Sequence, residues 1–347
     1  MKKLFALLLS LLLVVTLTGC GSKTEDTNEV LDNGVTTFKV GICNFVDDAS
    51  LNQIIANIKA ELKAQEANAP VKFEILEDNC NADFTVLDQI IANFIAEEVD
   101  LMVGVATPVA MAMQSATEDN QIPVVFAAVS DPLGTGLVDD TKNPGANITG
   151  TSDYLDTAAI IDLILAKNPD IDTVGLFYDL GQDSSTTAIK QAKDCLDAKG
   201  VKYREYNGTN TQEVIMAVDQ MKADGIKACF TPSDNTIMAA ELAIYESLAE
   251  AGIQHYAGAD SFALNGAFVG YGVDYANLGK VTGSMVSDIL VNGKDVSSYP
   301  VEFFDNGTAT VNTEICASLG FDFDEVKDLF APLCTQVVEI VTATEFE

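Results

Sequence analysis

The chain has 347 residues, of which 52 are acidic and 19 basic, so its formal net charge is −33 at pH 7. A field of this sign repels polyphosphate backbones, which excludes nucleic acid as a partner. The only arginine is Arg204, so phosphate and dicarboxylate ligands, which guanidinium groups usually bind, are disfavoured.

The first nineteen residues have the features of an export signal. Two lysines at positions 2 and 3 precede an apolar run at 4–17, which has the length of a signal-peptide core. The run ends in Leu17-Thr18-Gly19-Cys20, which resembles the lipobox of bacterial lipoproteins; the alternative is an ordinary secretory signal with an incidental cysteine. We predict a signal peptide at 1–19, a lipid on Cys20, a flexible tether at 20–36 and an extracytoplasmic location on a bacterial cell membrane.

From residue 37, short apolar runs alternate with longer amphipathic ones. Continuous apolar character is typical of strands covered on both faces, and apolar residues three or four positions apart predict helices. Thr107 is the predicted N-cap of its helix, with Pro108 at the first helical position. The predicted strands of this half are 38–43, 71–76, 101–105 and 124–126, and the predicted helices are 51–64, 84–96 and 108–116.

The same alternation restarts after residue 172. Alternating strands and helices predict βαβ units with a parallel sheet, so two such runs predict an α/β protein with two doubly wound lobes. The predicted strands of this half are 173–178, 201–206, 226–230 and 254–257, and the predicted helices are 184–199, 212–223 and 235–251.

The last part of the chain holds a strand at 267–273, a helix at 275–290 and a β-rich piece at 301–311. These elements are accommodated if the chain crosses between the lobes three times, near Gly150, at 260–266 and at 293–300. Lobe 1 then comprises 37–150 and 266–293, lobe 2 comprises 151–265 and 294–320, and 321–347 is an acidic C-terminal extension.

An ordered set of motifs runs from about residue 38 to residue 320. Its members are VGI at 40–42, ATP at 106–108, the segment 125–138, NITG at 147–150, PSDN at 232–235 and the segment 269–279. The set resembles the substrate-binding lipoproteins of ABC transporters that are related to tryptophan and tyrosine binders. One loop departs from that family, because Asp48-Ala49 stand where members usually carry His-Pro.

The resemblance implies a type I periplasmic-binding fold joined by a three-crossing hinge. It also implies a monomer that captures a small solute between its lobes, best an amino acid with an aromatic or branched side chain, for an ABC permease. Two alternatives stay open: a nucleoside- or sugar-binding lipoprotein of the same fold, and a lipoprotein that presents its ligand-bound form to a membrane receptor.

An α-amino acid needs an anion site, and ligands of open parallel sheets lie beyond the carboxyl ends of the strands, where helices begin. Helix N-termini with hydroxyl groups bind carboxylates when arginine is scarce. Thr107 in lobe 1 and Ser184 and Ser185 in lobe 2 are the candidates. Thr107 and either Asp183 or Ser184 also qualify as helix caps, a role that leaves first-turn N–H groups available.

The ammonium group needs an acidic partner, for which three strand-end aspartates are candidates. Asp131 precedes a proline and is better explained as a turn residue. Asp234, followed by Asn235, qualifies as a helix N-cap. Asp260 resembles a cleft aspartate of the family and is favoured. Aromatic walls for the ligand are sought among Phe45, Phe126, Tyr154, Tyr178 and Phe262, although the position of Phe126 inside a strand is more typical of the core.

Enzymatic and metal-dependent functions find no support in the motifs. The only histidine, His255, lies in an apolar strand, and no Ser-His-Asp set, phosphate loop or dinucleotide fingerprint occurs. No two cysteines have CxxC spacing, and the six that follow Cys20 are expected to be buried free thiols. We therefore predict no catalysis, no metal and no cofactor.

Overall fold

Two β-sheets, each flanked by helices, organise the protein, for which a computed structural model describes residues 34–304 and 307–346. The predicted signal peptide, Cys20 and nearly all of the predicted tether lie outside the described residues. The strands are β1 Thr36–Asn44, β2 Val71–Asn79, β3 Leu101–Val105, β4 Val124–Ala127, β5 Ile148–Ser152, β6 Thr173–Tyr178, β7 Lys202–Asn207, β8 Ala228–Thr231, β9 Gln254–Ala257, β10 Val269–Gly272, β11 Glu302–Phe303, β12 Thr308–Asn312 and β13 Gln336–Ile340.

Helices connect most of the strands, as the alternation in the sequence predicts. They are α1 Ala49–Glu66, α2 Phe84–Ala96, α3 Thr107–Ala116, α4 Thr157–Lys167, α5 Asp183–Lys199, α6 Thr211–Asp224, α7 Asn235–Glu250, α8 Asp260–Leu264, α9 Tyr275–Leu290, α10 Thr313–Ser318 and α11 Phe323–Phe330. Among the described residues, none of these helices is long and apolar enough to cross a membrane.

The first sheet has the strand order β11-β5-β4-β3-β1-β2 and is parallel throughout. The second has the order β13-β12-β10-β9-β8-β6-β7, in which only the pairing of β10 with β12 is antiparallel. The central strands β3, β4 and β8 are buried along their whole length because helices cover both faces. The prediction of two doubly wound α/β lobes is confirmed.

The chain passes between the sheets at 153–156, at 273–274 and between β11 and β12, which differs from the predicted crossings. Residues 269–272, assigned in the sequence analysis to lobe 1, form β10 of the second sheet, and α9 then returns to pack on α1 of lobe 1. The segment before β11 also stays with lobe 1, where Thr149 Oγ1 donates to Tyr299 O at 2.7 Å. Local patterns indicate a strand but not the sheet that it joins, which explains the shifted boundaries.

The predicted C-terminal extension is part of lobe 2. Helix α11 buries Val326 and Phe330 in the core of this lobe, and β13 pairs in parallel with β12. Beyond β13, the Ala343 N–H donates to Leu264 O at 2.8 Å. Within the described ranges, all six cysteines are free thiols, and four of them are buried.

Helices α1 and α9 approach closely because α9 carries two glycines at the contact. An added Cβ would lie 2.4 Å from Ile54 O at Gly279, and 2.8 Å from the Glu61 Cβ at Gly283. These distances are too short for any side chain, so the glycines set the separation of the two helices.

Replacing Gly279 by alanine should therefore destabilise lobe 1. Alanine is favoured over glycine by about 1 kcal/mol inside a helix, whereas overpacking costs about 1–3 kcal/mol. Because the added Cβ meets a backbone oxygen at 2.4 Å, the upper half of that overpacking range applies. We expect a net loss of about 1–2 kcal/mol in the free energy of unfolding, measured in urea. Lys280→Ala, at the exposed neighbouring position, should change stability little; equal or higher stability of Gly279→Ala would contradict the close approach.

Candidate ligand-binding cleft

The two points at which strand order reverses face each other across the lobes. In the first sheet the reversal lies between β1 and β3, and in the second between β6 and β8. Loops that follow such strands form the ligand sites of open α/β sheets. Here they enclose a cavity between the lobes, at the place where solutes bind in folds of this kind.

Residues of both lobes and of two crossings line this cavity. Lobe 1 contributes Asp48, Ser50, Leu51, Ala106, Thr107, Ala128 and Ser130. Lobe 2 contributes Ser184, Ser233, Asp234, Asn235, Met238, Ala259, Ser261 and Phe262. The crossings contribute Asp153 and Tyr275.

Two helix N-termini meet at the cavity without a side-chain cap in the described chain. The N-cap of α3 is Ala106, so Thr107 is the first helical residue and not the predicted cap. The N-cap of α5 is Gln182, so neither Asp183 nor Ser184 has the predicted capping role. The hydroxyl groups of Thr107 and Ser184 are buried and have no hydrogen-bond partner among the described residues.

The backbone of Ala106 explains the position of the α3 terminus. Its φ of +79° and ψ of 154° lie in a region that only glycine normally adopts, and such strain is typically retained at binding sites. Because Ala106 donates its own N–H to Ala127 O, the first-turn N–H groups of Thr107 and Val109 are the ones without a helical acceptor. Uncapped N–H groups and free hydroxyls, one set from each lobe, favour a bound carboxylate.

An acidic group of side chains lies on another part of the cavity wall. Asp48 caps α1 by accepting the Leu51 N–H at 2.9 Å with its Oδ1, while its Oδ2 is buried without a partner in the described structure. Asp153 accepts the Ser130 hydroxyl at 3.0 Å. Asp260, behind the wall, accepts the Ser50 hydroxyl at 2.7 Å. No lysine, arginine or histidine occurs among the described residues that line the cavity.

Burial shifts the ionisation of this acidic group. It raises the pKa of Asp153 to about 6, although hydrogen bonds from Ser130 and Tyr275 act in the opposite direction. It raises the pKa of Asp260 to about 6, with a further increase from the Asp48 carboxylate, and it raises the pKa of Asp48 itself. The pKa of Tyr275 is held well above its ordinary value by burial and by the three carboxylates, so this phenol remains a neutral hydrogen-bond donor.

Asp234 lines the cavity, but its oxygens are engaged inside lobe 2. Oδ1 accepts the N–H groups of Thr236 and Ile237, both at 3.0 Å, as an N-cap of α7. Oδ2 accepts the Asp179 N–H at 2.8 Å and the Ser185 hydroxyl at 2.7 Å. Asp234 therefore fixes the start of α7 and the loop before α5, and Ser185 serves this network instead of lining the cavity.

The lobes are in contact across the cleft. Thr187 Oγ1 of α5 donates to Asp131 Oδ2 of lobe 1 at 2.5 Å, and Ser50 of α1 contacts Asp260 of lobe 2 as described. Asp131 also accepts the Gly134 N–H at 2.8 Å, as expected of a turn residue. The structure is thus a closed form.

Most of the aromatic residues proposed as ligand contacts lie outside the main cavity. Phe45 is buried against Phe84 in lobe 1, and Phe126 is enclosed within the sheet. The Tyr178 hydroxyl donates to Glu205 away from the cavity. Tyr154 lines a second, adjoining space that shares Ser130, Ser184 and Ser233 with the first. Of the aromatic candidates, Phe262 lines the main cavity, where it accompanies Tyr275.

Comparison with known proteins settles the family. The family model described as ABC transporter substrate binding protein matches residues 39–327. This chain belongs to that family. Proteins of the family bind the substrates of ABC transporters and are not enzymes, which confirms the prediction that this chain performs no catalysis.

Individual members resemble this substrate-binding protein over most of its length. A tyrosine-binding protein of Clostridioides difficile (strain R20291) is 28% identical over 325 residues, 92% of each chain. A Streptococcus pneumonia ABC domain solved in complex with L-Trp is 30% identical, with a TM-score of 0.78 over 87% of this chain and 100% of that one. A ligand-free, open substrate-binding protein of Clostridium difficile is 27% identical, with a TM-score of 0.65 over 88% of this chain and 100% of that one.

The sequence analysis of this substrate-binding protein selected loops that reach the cavity but did not propose several of the residues that line it. Thr107, Ser184, Asp234 and Asn235 line the cavity as expected. The sequence could have pointed to Asp48, because it lies in the loop that departs from the family pattern. Nothing in the sequence pointed to Asp153 or Tyr275, because only the path of the crossings brings them to the cavity.

Proposed function

We propose that this chain is a lipid-anchored, extracytoplasmic solute-binding protein that captures an α-amino acid and delivers it to an ABC permease. The observation that carries the proposal is that two different sets of polar groups line the cavity. One has unpartnered hydroxyls at two uncapped helix N-termini, and the other has buried carboxylates without basic neighbours among the described residues. A zwitterion matches both sets, whereas a neutral sugar leaves the carboxylates without a counter-charge.

Similarity to proteins with named ligands supports an aromatic amino acid. One relative is named as a tyrosine-binding protein and another was solved with L-Trp. The side chain of such a ligand has Phe262, Tyr275 and Met238 for apolar contact. The lipobox resemblance at Cys20 supports the membrane anchor, and we propose that the protein acts as a monomer beside its permease.

A thermal-shift screen against amino acids, nucleosides and sugars tests this function. A ligand at about 100 times its Kd stabilises the folded protein by about 2.7 kcal/mol. We expect L-tyrosine or L-tryptophan to raise the melting temperature more than any nucleoside or sugar does. A shift with a nucleoside or a sugar and none with any amino acid would exclude the proposed ligand class.

Removal of the Thr107 or Ser184 hydroxyl should weaken the binding of the same amino acid. A hydrogen bond to a charged group contributes about 1.5–3 kcal/mol, so Thr107→Val and Ser184→Ala should each raise the Kd by roughly tenfold to a hundredfold, measured by isothermal titration calorimetry. Thr157→Val is a matched control, because its hydroxyl is also buried without a partner in the described chain but lies outside the cavity. Equal effects of Thr107→Val and Thr157→Val would remove Thr107 from the anion site.

A further inference from the structure

Asp48 differs from the other buried aspartates in having one fixed oxygen and one unused one. Its Oδ1 is held by the Leu51 N–H at the start of α1. Asp48 lines the cavity, and its Oδ2 is buried without a hydrogen-bond partner in the part of the chain that the structure describes. The residue is 8% exposed, and the Ser261 hydroxyl of lobe 2 lies close enough to oppose the rise in pKa that burial causes in its carboxyl. The helix thus orients the carboxylate and leaves one oxygen for a ligand.

The other acidic residues are less suited to contact a ligand directly. Both oxygens of Asp234 are taken by four donors of lobe 2. Asp260 is outside the cavity lining and holds Ser50. Asp153 lines the cavity, but the Ser130 hydroxyl already occupies one of its oxygens. Of the carboxylates that line the cavity, Asp48 is therefore the best placed to accept a hydrogen bond from a ligand.

The groups around Asp48 also favour a cationic ligand. The titratable groups that interact with it are Asp47, Asp260 and the Tyr275 hydroxyl, and no cationic side chain is present among the described lining residues. A buried carboxylate without a cation or a full set of hydrogen bonds is costly. Because the protein supplies no cation here, a cationic group on the bound solute would stabilise the ionised carboxylate.

We propose that Asp48 is the specificity residue that binds the protonated amine of the solute, so that this cavity selects solutes carrying an ammonium group. This rests on the proposed function and sharpens it, because it names the group that the solute must carry and the atom that receives it. Asp48 Oδ2 accepts from the ammonium group, while the helix N-termini at Thr107 and Ser184 bind the carboxylate.

The test is a cycle of two changes, one in the protein and one in the ligand. L-tyrosine and its amine-free analogue 3-(4-hydroxyphenyl)propionate are titrated by calorimetry into the purified full-length protein and into Asp48→Asn. Asparagine retains an oxygen to cap α1 but lacks the charge. The matched control is Asp83→Asn, since Asp83 caps α2 in the same way and is exposed outside the cavity.

Loss of a charged hydrogen bond corresponds to a change in affinity of roughly tenfold to a hundredfold. The unsubstituted protein should prefer L-tyrosine over the analogue by that factor, Asp48→Asn should lose most of this preference, and Asp83→Asn should retain it. Binding of both ligands with equal affinity by the unsubstituted protein would overturn the proposal without need of any variant. A preference retained in Asp48→Asn would overturn the role of Asp48 and leave amino-acid binding intact, whereas failure of the unsubstituted protein to bind any amino acid would overturn both.

Discussion

Lowering the pH from 7 to 5 should raise the thermal stability of the ligand-free protein and weaken its binding of an amino acid. Burial raises the pKa of Asp153, Asp234 and Asp260 to about 6, whereas in the unfolded chain these carboxyls titrate near 4. The folded state therefore binds more protons between about pH 4 and pH 6, and the free energy of unfolding decreases as the pH rises through that window.

Binding has the opposite dependence, because an ammonium group favours ionised carboxylates. Asp153, which lines the same cavity as Asp48 and has a pKa of about 6, is mostly protonated at pH 5. The negative charge that attracts the ammonium group is then smaller, which should reduce the affinity by up to about tenfold. Calorimetry of L-tyrosine binding and differential scanning calorimetry of the ligand-free protein measure the two effects. Asp153→Asn should make both the affinity and the melting temperature less dependent on pH. If the affinity does not change with pH and the melting temperature falls on acidification, the buried carboxyls do not have the raised pKa and the binding role given to them here.

Asp234→Ala should cause a large loss of stability. The substitution removes the cap of α7, worth about 0.5–2 kcal/mol, and leaves the Asp179 N–H and the Ser185 hydroxyl buried without their acceptor. Each such group costs about 1–3 kcal/mol, so we expect a loss of about 3–5 kcal/mol in the free energy of unfolding.

Chemical denaturation measures this loss, and Asp322→Ala provides the comparison. Asp322 also caps a helix, α11, but it is exposed, and its carboxylate accepts the Glu325 N–H. Asp322→Ala should therefore lower the free energy of unfolding by about 1 kcal/mol. If Asp234→Ala costs no more than Asp322→Ala, the buried network does not hold α5 and α7 together.

The alternation of strands and helices was predictable because each element has its own local pattern. The helix predicted at 275–290 matches α9 at both ends, since apolar spacing and an N-cap aspartate are both readable. The sheet to which β10 belongs was not predictable, because an apolar strand pairs equally well in either lobe. The strand β13 was missed because it is short and partly exposed.

The candidate site was predictable in its loops and less so in its residues. The rule that ligands lie beyond strand ends selected the loops of Thr107, Ser184 and Asp234. It did not distinguish aromatic residues that face the cavity from those that face the core, so Phe45 and Tyr178 were proposed as ligand walls although both are buried elsewhere. The sequence could not show that one oxygen of Asp48 lacks a hydrogen-bond partner, because this depends on the hydrogen bonds of the folded structure.

The direction of β1 determines where an anchored protein is attached relative to the mouth of its cleft. The strand begins at Thr36 and runs through nine residues before the loop that carries Asp48, a distance of about 30 Å. A tether that precedes Thr36 therefore joins lobe 1 at the pole opposite the ligand entrance, where it does not obstruct the entrance. If the proposed lipid on Cys20 holds the protein at a membrane, the point of attachment and the ligand entrance therefore belong to opposite ends of lobe 1.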